Sequence, residues 1–197
     1  MPADVRVDPG RQQTWSWQLK IELLDVAPTV WRRLMVPETI KLPKLHRAFQ
    51  TALGWTNSHL HEFVINGVRY SNTDPEFADE LEQVDEKRVV LSRALGHDAR
   101  CFDYVYDFGD DWHHVVIVED RQPHLEVAPS LIHCSGGVNA CPPEHVGRAH
   151  GYTEFLMAIA DEEHEEHDRY LEWIGGHFDP KRFALDATNL ALSKIKV

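Results

Sequence analysis

The sequence lacks several features that would place it in a familiar class at once. No apolar run approaches the roughly 18 residues that a membrane-spanning helix requires, so we predict no membrane segment. Only three cysteines are present, and this odd number favours free thiols and a reducing, cytoplasmic location over a disulfide framework. The chain has no Walker A loop, no dinucleotide-binding glycine fingerprint, no Gly-x-Ser-x-Gly elbow and no Cys-x-x-Cys pair. No complete catalytic constellation is visible, and the sequence leaves open whether the chain is an enzyme.

Positive charge is also scarce, because the formal net charge is −12. This balance argues against tight, non-specific binding to nucleic acid, where phosphate neutralisation supplies most of the affinity. The acidic residues concentrate in two segments, 74–86 and 161–172. A basic cluster that precedes both segments is the candidate nucleic-acid face, and it consists of Arg32, Arg33, Lys41, Lys44 and Arg47.

The length of 197 residues suits one domain. Residues 1–13 contain no apolar stretch of the kind found in a signal peptide, so we predict a disordered leader there. We predict that residues 14–197 form a single domain.

Strands in the first half are predicted to come as hairpins. Residues 15–25 alternate between apolar and polar, which predicts a strand with Trp15, Trp17, Leu19, Ile21 and Leu23 on one buried face. A second strand follows at 30–36, and the two form a hairpin. Pro43 begins a helix that Gly54 ends, and Leu45, Ala48, Phe49, Ala52 and Leu53 form its buried stripe. Asn66-Gly67 is a two-residue hairpin turn within 60–70.

The second half is predicted to mix one more hairpin with helices. Residues 71–87 read as a loop with a helical turn at 77–81, and residues 88–91 as a short strand. An aromatic hairpin joins 102–108 to 112–119, and 120–150 is predicted to be largely loop. A helix is predicted at 152–160. The acidic segment 161–168 either continues this helix or begins another that ends near residue 174, and Asp186 is predicted to cap a last helix. Hairpins rather than alternating single strands and helices favour an α+β fold, with helices packed on a mostly antiparallel sheet.

The stretch from Cys134 to Tyr152 is rich in glycine and proline, which interrupt helices and strands. It holds two cysteines, four glycines and the pair Pro142-Pro143. We interpret Pro142-Pro143 as the opening of a helix, with Glu144 in its first turn. Because such a loop is costly to order, we expect function to lie where it meets the aromatic hairpin.

Histidines and carboxylates supply the candidate ligands for a divalent metal. Thirteen histidines are present, and zinc prefers Cys thiolate and His nitrogen. Asp107-Phe-Gly-Asp110-Asp-Trp-His113 could form an acid/base or magnesium site, although the same residues also suit a plain turn. The candidate ligand or metal residues are His59, His61, Asp107, Asp110, His113, His114, Cys141 and Glu144.

Cys141 has two interpretations. It is a nucleophile if a histidine such as His145 or His150 lies beside it, and an inert buried thiol otherwise. His164 and His167 have an i, i+3 spacing, which does not match the i, i+4 zinc-protease helix.

A series of motifs then resembles one known family. They are Leu45-His46 with Gly54-Trp55, His59-Leu60-His61 with Phe63, Tyr104 through His114, Cys141-Pro142-Pro143-Glu144 with Gly147 and Gly151-Tyr152, and Phe178-Asp179-Pro180 with Phe183. In this order they resemble the plasmid pRiA4b ORF-3-like family, over roughly residues 15–195. The resemblance implies an α+β fold with an antiparallel sheet and a bacterial or archaeal source, but no established activity. His145 and Arg148 depart from the family pattern, where Asp and Gly are usual.

Three functional hypotheses follow. The first is a binding or interaction module that recognises a protein partner or a second copy of itself. The second is a metal-assisted hydrolase using the His/Asp residues named above. The third is a DNA-associated protein of plasmid or mobile-element origin. The sequence establishes no cofactor, and a divalent metal is the one candidate.

Overall fold

A computed structural model describes residues 14–72, 82–96, 98–123 and 132–197 of the chain. Eight strands form one sheet in the order β5-β4-β3-β6-β7-β1-β2-β8, and every neighbouring pair is antiparallel except β4 and β5. The strands are β1 (Trp15–Leu23), β2 (Val30–Pro37), β3 (His61–Ile65), β4 (Val68–Ser71), β5 (Gln83–Asp85), β6 (Cys101–Tyr106), β7 (Trp112–Pro123) and β8 (His133–Val138). The α+β class is therefore confirmed.

Five helices accompany the sheet in the described part of the chain, with a short 3-10 turn at Glu86–Arg88. The helices are α1 (Leu42–Leu53), α2 (Leu91–Leu95), α3 (Arg148–Ala160), α4 (His167–Ile174) and α5 (Leu185–Leu192). None of them combines the length and the apolar character that crossing a membrane requires. The predicted leader at 1–13 and the helical turn at 77–81 lie outside the described residues.

Helix α1 supplies much of the core. Its predicted stripe is buried throughout, and the Phe49 ring lies 5.2 Å from Tyr104 and 6.3 Å from Phe63 on the sheet. Gly54 ends α1 in the left-handed region at φ 91, as the sequence predicts. Two polar residues, His46 and Gln50, are buried in the same helix, which the apolar pattern did not indicate.

Both predicted hairpins of the first half are confirmed. β1 pairs with β2, and β3 pairs with β4 through Asn66 and Gly67, whose φ values are both positive. The single buried face predicted for β1 was wrong. The register against β7 shifts between Gln18 and Leu19, so Ser16 is buried while Trp15 and Trp17 are only partly buried and contact Arg121.

Three elements differ from the sequence prediction. The loop predicted at 71–87 contains strand β5, which pairs with β4. The strand predicted at 88–91 is instead the end of the 3-10 turn followed by α2, and only Val90 forms an isolated bridge with Lys41. The loop predicted at 120–150 contains the end of β7 and all of β8. β8 was predicted to be loop because it contains Gly136 and Gly137, and glycine is unfavourable in most strands.

Gly137 is required by close packing. A Cβ atom added there would lie 2.7 Å from Arg32 Cδ and 2.9 Å from Phe183 Cε1. Strand β8 lies at the edge of the sheet, and Asn189 of α5 covers part of that edge. The Asn189 side chain accepts a hydrogen bond from Cys134 N (2.7 Å) and donates one to Cys134 O (2.9 Å).

Two helix starts also differ from the prediction. Glu144 lies in a turn rather than in a first helical turn, and α3 begins at Arg148 after Gly147, which has φ 90. Asp186 does not cap α5, because Ala184 occupies the N-cap position and Asp186 lies inside the first turn.

Candidate metal-binding site

Three segments meet around the indole of Trp55. These are the loop after α1, the turn between β6 and β7, and the turn that follows Cys141. The Trp55 ring lies 5.0 Å from Tyr106 and 6.1 Å from Trp112, and its Nε1 donates a hydrogen bond to Pro142 O (2.9 Å). Since Trp55 is buried, it fixes the three segments relative to one another.

The Glu144 carboxylate is held by one of its two oxygens. Oε1 accepts hydrogen bonds from Thr56 N (2.8 Å), Thr56 Oγ1 (3.0 Å) and the Tyr106 hydroxyl (3.1 Å). Burial, with a further contribution from Glu144, raises the pKa of Tyr106 to about 12, so the hydroxyl keeps its proton. Oε2 makes one long contact with Tyr106 (3.4 Å) and otherwise faces His59.

Asp107 is held in the same way. Its Oδ1 accepts hydrogen bonds from Gly109 N (2.9 Å) and Asp110 N (3.3 Å), and its backbone is in the left-handed region at φ 57. Its backbone N–H donates to Leu60 O (2.9 Å), which ties the turn to the loop that carries His59. Oδ2 is left facing His59.

His59 is the centre of the cluster. Its Nε2 lies 3.4 Å from Asp107 Oδ2 and 3.5 Å from Glu144 Oε2. Both separations exceed the 2.7–3.2 Å of an ordinary N–H···O bond. The Nε2 atom is also shielded from solvent and has no hydrogen-bond partner, although the rest of the side chain is 26% exposed. A shielded ring nitrogen between two carboxylate oxygens needs a physical explanation.

His145 is the third potential metal ligand, beside His59 and Glu144. Its ring centroid lies 4.9 Å from that of His59, and ligand atoms of His59, Glu144 and His145 lie within 4.8 Å of one another. His145 is exposed and has φ 64. Two histidines and one glutamate form a ligand set used by catalytic zinc sites, which leave one coordination position open. His145 was not predicted as a ligand, although its position next to Glu144 is visible in the sequence.

Polar residues of α1 fix the loop that carries His59. Asn57 donates its backbone N–H to Gln50 Oε1 (3.0 Å), and its side-chain oxygen contacts His46 Nε2. His46 Nδ1 and Gln50 Nε2 both contact the Tyr104 hydroxyl, at 2.8 Å and 3.0 Å. The buried polar pair in α1 therefore holds Asn57 in its left-handed conformation at φ 59.

Two of the predicted ligand histidines lie elsewhere in the interior. His61 stacks on His46 at 3.4 Å between ring centroids, and its Nε2 lies 3.0 Å from Glu86 Oε2. His114 is buried in the core with Nδ1 3.0 Å from Tyr104 O, and burial lowers its pKa to about 3. Neither residue belongs to the cluster around His59.

The contacts of three further predicted ligands indicate structural roles. These residues are Asp110, His113 and Cys141. Asp110 Oδ2 accepts from Gly147 N (3.3 Å), and exposed His113 pairs with Asp111 (3.0 Å). Burial raises the pKa of Cys141 to about 12, so its thiol stays protonated near neutral pH. Its burial favours the interpretation of Cys141 as an inert buried thiol over that of a nucleophile.

The predicted basic face does not form as expected. Arg32 is only 2% exposed and donates to backbone carbonyls, and Arg33 is paired with Glu119 at 2.6 Å. Lys41 and Arg47 are exposed, whereas Lys44 is partly buried. Arg32 is therefore not part of an exposed basic face, and Arg33 is largely neutralised by Glu119.

Comparison with known proteins gives concordant matches. A curated relative, the uncharacterized protein y4hQ of Sinorhizobium fredii (strain NBRC 101917 / NGR234), is 44% identical over 160 residues, which is 80% of each chain. The crystal structure of a protein of unknown function, MM3350 from Methanosarcina mazei Go1, superimposes with a TM-score of 0.80 at 31% identity. That match covers 89% of this chain and 98% of the other.

The sequence profile described as plasmid pRiA4b ORF-3-like protein matches residues 16–187, a range that contains every residue of the cluster around His59. The family resemblance drawn from the motifs is confirmed, and the chain belongs to the plasmid pRiA4b ORF-3-like protein family.

Proposed function

We propose that this chain is a metal-binding domain in which His59, Glu144 and His145 hold a divalent transition-metal ion. The spacing of the ligand atoms carries the proposal. Two atoms that each lie 2.0–2.2 Å from a tetrahedral zinc ion are roughly 3.3–3.6 Å apart. The separation of 3.5 Å between His59 Nε2 and Glu144 Oε2 falls in this range and is too long for a good hydrogen bond.

The surrounding contacts support a prepared site. Thr56 and Tyr106 anchor one oxygen of Glu144, and partners of this kind orient ligands and tune their basicity. A metal ion would also account for the absence of a hydrogen-bond partner at His59 Nε2. His145 is exposed, and its ligand atom lies within 4.8 Å of those of His59 and Glu144.

Ligand chemistry favours zinc among the divalent ions. Two imidazoles and one carboxylate also suit non-haem iron(II), whereas calcium and magnesium prefer sites made of oxygen ligands. We therefore expect zinc first and iron second. Manganese is disfavoured by the two nitrogen ligands.

The proposal is tested by elemental analysis and metal titration of protein purified without a histidine tag. We expect about one equivalent of zinc in the native protein, and zinc binding weakened at least tenfold by Glu144→Gln. Glu154→Gln is the matched control, because Glu154 is half-exposed and pairs only with His150. Less than about a tenth of an equivalent of any transition metal, with no binding on titration, would contradict the proposal.

A second candidate function is metal-assisted hydrolysis, and the position of Asp107 favours it. A zinc ion held by His59, Glu144 and His145 would supply a bound water of lowered pKa. Asp107 Oδ2, 3.4 Å from His59 Nε2, would accept a proton from that water. The water oxygen would form the new bond to the electrophilic centre, and Asp107 would return the proton to the leaving group as it departs.

Activated ester and phosphodiester substrates test this second function. We expect zinc-dependent turnover by the native protein and a loss of at least about tenfold in Asp107→Asn at unchanged zinc content. Asp111→Asn is the control in the same turn, because Asp111 is exposed and contacts only His113 through its side chain. Equal turnover by the two variants would exclude Asp107 as the base.

We also infer a reducing, cytoplasmic location. All three cysteines are free thiols, and Cys134 and Cys141 are buried, which fits a compartment that keeps thiols reduced.

A further inference from the structure

A second concave site lies apart from the cluster around His59. A cleft of about 340 Å³ opens between the C-terminal end of α1 and the segment 177–188. Arg32, His177 and Arg182 contribute donors to its wall, while Phe178 and Phe183 contribute apolar surface. The cleft is not lined by any residue around the candidate metal position, that is, by His59, Asp107, Glu144 or His145.

Arg32 is the unusual residue in the wall. Its guanidinium donates to the carbonyl oxygens of Ala52, Trp31, Val138 and Asn139 at 2.7–2.8 Å. A guanidinium has five N–H bonds, so one N–H on Nη2 has no acceptor within the described residues. None of the ion pairs in that part of the chain includes Arg32.

A buried cation without a counter-charge is costly. Carbonyl dipoles satisfy hydrogen bonds of Arg32 but do not cancel its full positive charge. Burial lowers the pKa of Arg32, yet an arginine side chain stays protonated in proteins. The cleft therefore presents a permanent positive charge at its base.

The surrounding motifs hold Arg32 in place. The Phe183 ring lies 4.1 Å from the guanidinium carbon, and Gly137 allows both side chains to approach β8. Such stacking leaves the edge of the guanidinium available for hydrogen bonds. Thus Gly136-Gly137 and the Phe178–Phe183 segment, which the candidate metal site does not use, both contribute to this cleft.

We propose that the cleft binds a small anion, through a carboxylate or phosphate group recognised by Arg32, Arg182 and His177. Arginine suits both groups, because its planar fork of donors matches their oxygens. Arg182 and His177 are exposed at the mouth, where they add donors. The acid in the wall, Asp179, uses Oδ1 to accept from Lys181 N (2.9 Å), which keeps that oxygen within its own turn.

The test is an NMR titration of ¹⁵N-labelled, metal-free protein with inorganic phosphate and, separately, with acetate at constant ionic strength. We expect saturable shifts of the Gly54 and Ala140 amides with at least one of the two anions. The anion that gives them identifies the group bound. Metal-free protein keeps the result independent of the candidate metal site.

A matched pair of variants tests the role of charge at the mouth. Arg182→Gln is expected to weaken anion binding about fivefold or more, because it removes a charge-assisted hydrogen bond at a partly solvated position. Lys181→Gln, in the neighbouring exposed residue outside the cleft, is expected to leave binding unchanged. Non-saturable shifts with both anions, or equal weakening by the two variants, would overturn the proposal.

Discussion

As the pH falls from 6.5 to 5, the free energy of unfolding is expected to fall by about 3 kcal/mol in total, because two histidines are buried in the neutral form. The pKa values of His46 and His114 are both lowered from 6.5 to about 3 in the folded chain. Unfolded chains take up a proton at each of these residues below pH 6.5, whereas the folded chain does not. Stability from this source is fully present above pH 6.5 and is lost as the pH falls toward 3.

Desolvation is the main cause at both residues. At His46 the neighbouring His61 lowers the pKa further, and the contact with Asn57 opposes the shift. At His114 hydrogen bonds to backbone carbonyls oppose it, but Nε2 is buried without a partner. A proton added at either ring would therefore create a buried cation.

Urea unfolding followed by tryptophan fluorescence at several pH values between 5.0 and 7.5 measures the effect. His46→Gln or His114→Gln should each reduce the pH dependence by about half, since each removes one of the two protons taken up on unfolding. His150→Gln is the control, because its side chain is 84% exposed. A pH dependence that is the same in all four proteins would show that these histidines are not responsible.

Gly151→Ala is expected to lower the free energy of unfolding by about 3 kcal/mol, the upper part of the range for overpacking. A Cβ atom at this position would lie 2.1 Å from Val146 O and 3.0 Å from Val146 C. Both contacts are with backbone, so no side-chain rotation can relieve them. The strain would displace the turn that carries Glu144 and His145, and we expect zinc binding to weaken as well.

Chemical denaturation and zinc titration of the same samples check this expectation. His150→Ala, at the preceding exposed position of α3, is the matched control. If Gly151→Ala were as stable as that control, the close approach of α3 to Val146 would be contradicted.

Elements of the fold were predictable where local rules and the tertiary structure agree. The Asn66-Gly67 turn and the C-terminal end of α1 at Gly54 depend on backbone conformations that glycine and asparagine favour, and both were predicted. β8 was missed because Gly137 is selected by the approach of Arg32 and Phe183, which are distant in sequence. The β1 face was misassigned because its register shift is a property of the pairing with β7.

The candidate metal site was only partly predictable for a similar reason. His59, Asp107 and Glu144 could be named from residue type, but their meeting depends on Trp55 joining three segments. Thr56 and Tyr106 act through hydrogen bonds that no periodicity reports. His61 and His114 have the same side chain as His59, and only burial separates their roles.

The two hydrogen bonds between Asn189 and the Cys134 backbone have a consequence for self-assembly. A side-chain amide carries N–H donors beside a carbonyl acceptor, so it can imitate the peptide group of an additional strand. At Cys134 the outer edge of β8 already has that partner, and another chain cannot pair there without displacing α5. Asn189 thus protects the molecule against growth into fibrils by strand addition at this edge.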